Sequence, residues 1–204
     1  MAANVVVRHA RREGVSLASV CNSFRDTDNA MLLLDAPAIL ELIRALATYE
    51  KEPDAVVATV ESLLDTIAFA PSTSASLCVT NPDTEPISSS RPARCLLLCS
   101  GEGEAVGMAL YFYNYSTWRS RPGIYLEDLF VQPAERGKGY GKRLLVELAK
   151  QVVAIKGGRM DWAVLRWNEP SIKFYQSIGA KLQTEWSGVR IDGPELDKLA
   201  HALD

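Results

Sequence analysis

The sequence is poor in the residues that hold metals. It has only two histidines, His9 and His201, and four cysteines, Cys21, Cys78, Cys95 and Cys99. Zinc sites need several such ligands at short spacing, and neither histidine stands at ligand spacing. No metal is expected. Positive charge is not in excess either: the formal net charge is −3 and the isoelectric point is near 5.5. Sequence-independent nucleic-acid binding rests on a basic footprint, so no nucleic-acid partner is expected. Met1 to Ala10 lacks a basic stretch followed by an apolar core, so a secretory leader is not expected. No apolar run approaches the ~20 residues that span a bilayer. The longest, around Ala30 to Leu46, is broken by Asp35, Pro37, Glu41 and Arg44. The cysteines then read as small buried hydrophobes in a reducing compartment, and the chain as cytoplasmic with no membrane partner.

What is present suits a folded enzyme-sized domain. Residues 1–204 are 48% hydrophobic and 23% charged, enough for one buried core under a solvated surface. Val5 to Arg8 reads as a strand, and residues 11–34, without a clean period, as an insertion. Asp35 is placed to cap a helix carrying Ile39, Ile43 and Leu46, and a second helix is expected after Pro53. Ser76 to Thr80 reads as a strand, and residues 81–94 as a loop and second insertion. Cys95 to Cys99 and Ala105 to Tyr113 form a hairpin around Ser100 to Gly103, followed by a strand over Ile124 to Val131. A helix after Gly141, a strand over Met160 to Trp167, a helix over Asn168 to Ile178, a strand over Lys181 to Ile191 and a short helix after Pro194 complete the chain. The expected fold class is α/β (α+β): a mixed twisted sheet of about six to seven strands with helices on both faces.

The strongest local signal is Arg136-Gly137-Lys138-Gly139-Tyr140-Gly141-Lys142, set between a strand and a helix. Glycines let backbone N–H groups converge, and a helix N-terminus adds partial positive charge, so the turn suits a pyrophosphate. The P-loop pattern fails at Arg136 and at Arg143, where glycine and a hydroxyl residue are required. The dinucleotide pattern fails at Lys142, where a third glycine is required. Arg-x-x-Gly-x-Gly remains, and it resembles the coenzyme A loop of the GNAT acetyltransferase superfamily.

Further segments carry the same resemblance. Tyr125-Leu126-Glu127-Asp128-Leu129-Phe130-Val131 lies upstream and Trp167-Asn168-Glu169-Pro170-Ser171-Ile172-Lys173-Phe174-Tyr175 downstream. With Tyr113-Asn114-Tyr115-Ser116-Thr117-Trp118 and Ala47-Thr48-Tyr49-Glu50, they look like the spermidine/spermine and thialysine N-acetyltransferases and their plant diamine-acetylating relatives. The resemblance implies the GNAT fold, acetyl-coenzyme A as co-substrate, a small cationic amine as acceptor, and a homodimer.

Residue by residue, the resemblance implies that Leu129, Phe130 and Val131 present backbone amides to acetyl-coenzyme A. Arg136, Gly137, Lys138, Gly139, Tyr140, Gly141 and Lys142 would then cradle its pyrophosphate, with Asn168 and Ser171 along the pantetheine arm. Glu127 corresponds to the carboxylate that takes the amine's proton, and Tyr175 to the hydroxyl that serves the departing thiolate. Tyr49, Glu50, Trp118, Glu127, Asp128 and Trp186 match positions lining the amine site. Without the resemblance these residues have plainer readings: Glu127 as a solvated strand carboxylate, Tyr175, Trp118 and Trp186 as core aromatics, Asn168 as a helix cap.

An ammonium of pKa near ~10.4 is almost wholly charged at pH 7, which is why a base is needed. Polyamine-acetylating members carry an acid where Ser116 stands here, whereas thialysine-type members resemble the Ser-Thr-Trp of Ser116 to Trp118. The resemblance therefore implies a small diamine, polyamine or lysine-like amino acid as acceptor, with short diamines and lysine-like amino acids favoured over spermine. A protein lysine or N-terminal acetyltransferase is an alternative, and a non-catalytic acyl-coenzyme A-binding regulator another. Presence of both Glu127 and Tyr175 speaks against the regulator.

Overall fold

A computed structural model of the chain describes residues 5–12, 35–71 and 82–204. The chain divides into two compact units, Met1–Ala163 and Val164–Asp204. Among the described residues of the first unit, five strands form one sheet in chain order: β1 (Val6–His9), β2 (Arg94–Cys99), β3 (Ala105–Ser116), β4 (Arg121–Val131) and β5 (Met160–Trp162). β1 to β4 pair antiparallel and β5 lies parallel to β4, so the sheet is mixed.

β2, an interior strand between β1 and β3, is apolar on both sides, a Cys-Leu-Leu-Leu-Cys run buried throughout. Cys95, Leu97 and Cys99 point to one face, where Met108, Leu110 and Phe130 meet helix α1 (Asp35–Glu50) through Ile39 and Leu42. Leu96 and Leu98, equally buried, point to the other. There α3 (Tyr140–Ala154) lays down Leu144, Leu145, Leu148 and Val152, a helical stripe. Each fully buried leucine of that stripe stabilises the fold by roughly 1.5–3 kcal/mol.

Polar residues tie the layers together. Asp35, expected as a cap, stands in the first turn of α1 and turns its carboxylate to β1. It accepts from Arg8 Nη1 and Nη2 at 2.5 and 2.9 Å and from the Arg11 amide at 2.6 Å. The second expected helix starts later than Pro53, which opens only a single 3-10 turn. Helix α2 (Val60–Thr66) begins where Thr59 and Ser62 bond reciprocally to each other's backbone amides.

The expected strand at Ser76 to Thr80 and the insertion core at 13–34 lie outside the described residues; of the 81–94 segment, residues 82–93 are irregular. In the second unit, Asn168 caps α4 (Glu169–Ser177) by accepting from the Ser171 amide at 3.3 Å. Helix α5 (Gly193–Ala200) follows. Two expectations need correction. The strand over Met160 to Trp167 is confined to β5, and Lys181 to Ile191 forms no strand, so the described residues hold five strands where about six to seven were expected. Every residue from Lys181 to Asp204 is exposed, Trp186 at 71% and Val189 at 96% among them. A strand needs a neighbour to pair with, and these residues have none among those described.

A buried polar chain crosses the sheet to α3. The Tyr111 hydroxyl donates to Gln151 Oε1 at 2.8 Å, so its bond to His9 at 3.0 Å is donated by His9 Nε2. Burial, reinforced by Arg94, lowers the His9 pKa from 6.5 to about 4. Between those values the unfolded chain binds a proton that the folded chain refuses, so stability falls as pH drops through the window. At 1.36 kcal/mol per unit the loss approaches roughly 3 kcal/mol by pH 4. Urea unfolding at pH 7 and pH 4.5 should show a smaller pH-linked loss in His9→Gln than in the wild type. Equal losses would remove His9 as the cause.

Candidate active site

The site is built on an irregularity in β4. Leu110 of β3 pairs with Asp128, while its neighbour Tyr111 pairs with Leu126, leaving Glu127 without a partner in the register. This is a β-bulge, and its extra residue shifts the alternation of everything beyond it. Tyr111 reaches α3 through Gln151, so Leu126 and Ile124, which share its side of the sheet, face α3. Met108 and Leu110 pack in the α1 cluster, so Phe130 and Asp128, opposite them, face α1. The four even-numbered positions would share one face in a regular strand. Here they divide between two.

The bulge also marks where β4 loses a neighbour. β5 pairs with Ile124, Tyr125 and Leu126 only. Beyond them, on that edge, Glu127 to Val131 pairs with no strand among the described residues. Leu129 and Val131 are half-buried there and Phe130 is buried. An open edge of this kind can bond an extended amide-bearing chain as an added strand would.

Past that edge the chain turns through Pro133–Glu135 into the glycine cradle and α3. Gly137 and Gly139 have φ of +78° and +80°, values that favour glycine, and a Cβ added to either would meet nothing within 4 Å. Gly139 is the N-cap of α3 and supplies no side-chain cap, so the first-turn amides remain available to an anion. Lys138 is held by Glu135 at 2.9 Å, while Lys142 is exposed on the first turn. Tyr140 is buried, a core residue at the helix start. The turn and the open edge together fit coenzyme A: amides and glycines for its pyrophosphate, an unpaired strand for its amide-bearing arm.

Arg136 takes a position that the motif does not announce. Its Nε donates to the Val131 carbonyl at 3.0 Å, and its guanidinium lies 4.8 Å from the Tyr49 ring centre and 5.5 Å from that of Phe130. The cradle is thereby linked to the C-terminal end of α1, where Glu50 follows Tyr49. Burial raises the Glu50 pKa. Asp128 is raised further, to about 6, by burial first and then by the charges of Glu127 and Glu50. Glu127 itself is exposed on the bulge. Tyr49, Glu50, Glu127 and Asp128 are thus brought together.

Trp118 is not part of that grouping. It follows β3 in the hairpin turn, 91% exposed, with roughly 20 Å of strand between it and Asp128. Ser116, at the end of β3, is buried. In the second unit, Tyr175 is half-buried on α4 with its ring 5.3 Å from that of Phe174, Asn168 is buried at the cap, Ser171 gives the capped amide, and Trp186 stands in the exposed segment. No group of three or more His, Cys, Asp or Glu residues among the described ones is arranged to hold a metal. Sequence reasoning singled out the glycine turn and the acidic pair, and missed the bulge. Its one visible trace is Asp128, polar where the alternation of Ile124, Leu126 and Phe130 calls for an apolar residue.

Comparison with known proteins agrees with this geometry. Residues 58–180 match the model of the Acetyltransferase (GNAT) family. The chain is 33% identical over 177 residues to the thialysine N-epsilon-acetyltransferase of Bos taurus, covering 81% of this chain and 92% of that protein. It is 40% identical over 93 residues to an L-ornithine N5-acetyltransferase of Arabidopsis thaliana, a match spanning 46% of this chain and 41% of the relative. Among solved structures, an integron cassette protein from the mobile metagenome of V. cholerae shares the fold at a TM-score of 0.64 and 22% identity, over 98% of both chains. The cradle, the open β4 edge and these similarities place the chain in the GNAT family, and it is an acetyltransferase.

Proposed function

We propose that the protein transfers the acetyl group of acetyl-coenzyme A to a primary amine of a short diamine or a lysine-like amino acid. The observation that carries this reading is the grouping of Tyr49, Glu50, Glu127 and Asp128 beside the open edge of β4. Carboxylates and an aromatic face suit an ammonium, and the open edge suits the thioester arm. Relatives named for thialysine and L-ornithine support an amino-acid or diamine acceptor.

In this reading the backbone amides of Leu129 to Val131 polarise the thioester carbonyl, which is stabilisation where charge develops. Arg136, the amides of Gly137 to Lys142 and the first turn of α3 hold the pyrophosphate. Asn168 and Ser171 meet the pantetheine arm, and the Tyr175 hydroxyl donates to the departing thiolate. Glu127, the extra residue of the bulge, takes the proton of the amine directly or through water. The acceptor site is completed by a homodimer: Trp118 is exposed at a hairpin tip, and the exposed apolar residues Leu182, Trp186, Val189 and Ile191 await a partner. A second copy supplies both, and Trp186 then lines the amine. The free thiols Cys95 and Cys99 suit a reducing compartment such as the cytoplasm.

A thiol-release assay over a panel of amines tests the substrate class. Short diamines, ornithine and thialysine should give a higher kcat/KM than spermine, by about tenfold or more, since Ser116, where polyamine-acetylating members carry an acid, offers a long polyamine no distal carboxylate. Preference for spermine over every short amine would overturn the assignment. Gly139→Asp should raise the KM for acetyl-coenzyme A by about tenfold or more with little change in amine KM, because it places a carboxylate against the pyrophosphate and strains a left-handed turn. Tyr175→Phe should lower kcat by ~10²-fold with cofactor affinity within a few-fold. Near-normal turnover in that variant would remove Tyr175 from the chemistry.

A further inference from the structure

We infer that Arg159 and Asp161, held by Asn114, form a further subsite for the acceptor, one that receives the α-carboxylate and α-ammonium of a lysine-like amino acid. The inference rests on the proposed amine acetylation and names which of its acceptors the site selects.

The subsite lies on the α1 face of the sheet. Phe112 and Asn114 alternate with Tyr111 along β3, so they stand on the same side as Leu110. Their partners on β4 are Tyr125 and Gly123, and Tyr125 pairs in turn with Asp161 of β5. Directly opposed residues share a face, so Tyr125 and Asp161 stand on the side of Asp128, which is opposite Leu110. Among the described residues, the hydrophobic cluster beneath α1 reaches Leu110 and Phe130 and takes in neither Phe112 nor Tyr125. These two half-buried rings stack at 5.1 Å and 25°, an apolar floor that ends in a polar group.

At that end Asn114 Nδ2 donates to Asp161 Oδ2 at 2.8 Å, and Arg159 Nε lies 2.7 Å from the same oxygen. Asp161 Oδ1 and the two Nη nitrogens of Arg159 have no partner among the described residues, and the two side chains are 37% and 43% exposed. They offer an anion and a cation side by side, the complement of an amino-acid zwitterion: guanidinium for its carboxylate, Oδ1 for its ammonium. Fold stability does not account for the arrangement. Asn114 Oδ1 is buried without a partner, and a Cβ on Gly123 would stand 2.4 Å from it. A buried oxygen left unbonded costs more than an exposed ion pair returns.

The spacing fits a short acceptor. Leu110 and Phe112, opposite Asp128 and Tyr125, are roughly 7 Å apart along β3, and β5 lies about 5 Å beyond β4. In ornithine the side-chain nitrogen and the α-carbon are roughly 5 Å apart, and the α-substituents reach further. With its amine at Glu127 and Asp128, its methylenes lie over Phe112 and Tyr125 and its head group meets Asp161 and Arg159. A plain diamine brings only a second cation to that place, where Arg159 repels it.

The test measures kcat/KM for ornithine, for putrescine, which lacks the carboxylate, and for 5-aminovalerate, which lacks the α-amino group. In the wild type, ornithine should exceed each by about tenfold or more, through KM and not kcat. Arg159→Gln should bring the ratio of ornithine to putrescine near one, and Arg159→Lys should restore part of it. Asp161→Asn should bring the ratio of ornithine to 5-aminovalerate near one. Thermal melting and acetyl-coenzyme A calorimetry check that each variant is folded. The wild-type comparison needs no variant, so it reads the proposal even where a substitution prevents folding. A wild type that acetylates putrescine as well as ornithine, or an Arg159→Gln or Asp161→Asn enzyme that keeps its preference, would overturn the subsite and leave amine acetylation standing. A wild type that acetylates none of the acceptors would instead overturn the proposed function.

Discussion

The arrangement of the site depends on one extra residue in β4. A strand side chain alternates between faces with a period of two, and one inserted residue reverses the assignment of all that follow. Ile124 and Leu126 can therefore serve the core under α3, while Asp128 and Phe130 serve the opposite face under α1. Without the bulge, Asp128 would stand in line with Leu126 over the apolar stripe of α3, where an unpaired carboxylate costs several kcal/mol. The bulge lets a core strand turn an acid to the α1 face.

The electrostatics follow from that placement. Glu50, Glu127 and Asp128 lie close enough that the charges of the first two raise the third, with burial contributing most. Like charges gathered in a half-buried setting are a poor fit for one another and, in the proposed reading, a good one for an ammonium. Arg136 stands at the boundary. It is bonded to Val131 and stacked over Tyr49 and Phe130, and so connects the end of α1 to the glycine turn. One side chain thus ties the glycine turn to the acidic end of α1.

Much of this was legible in the sequence, for identifiable reasons. Positive-φ turns demand glycine, so Gly137 and Gly139 betray the cradle. The helical stripe Leu144, Leu145, Leu148 and Val152 betrays the helix behind it. Asn168 betrays its cap, because few residues can bond the Ser171 amide. The bulge was hidden because an adjacent acid pair looks like a polar interruption of any strand. The expected strand over Lys181 to Ile191 reads well by β-propensity, yet propensity supplies no pairing partner, and Leu182, Trp186 and Val189 are exposed. Placement of Arg136 over Tyr49 joins residues far apart in the chain, which no local pattern encodes.

The most direct test is backbone hydrogen exchange with and without acetyl-coenzyme A. The account predicts strong slowing at two stretches, Glu127 to Val131 and Gly137 to Arg143, as the open edge gains an amide-bearing neighbour and the α3 amides gain an anion. Exchange at β1 and β2 should hardly change. Saturating cofactor that leaves both stretches unprotected, or that protects only residues elsewhere, would contradict the placement of the acetyl donor on β4 and the cradle.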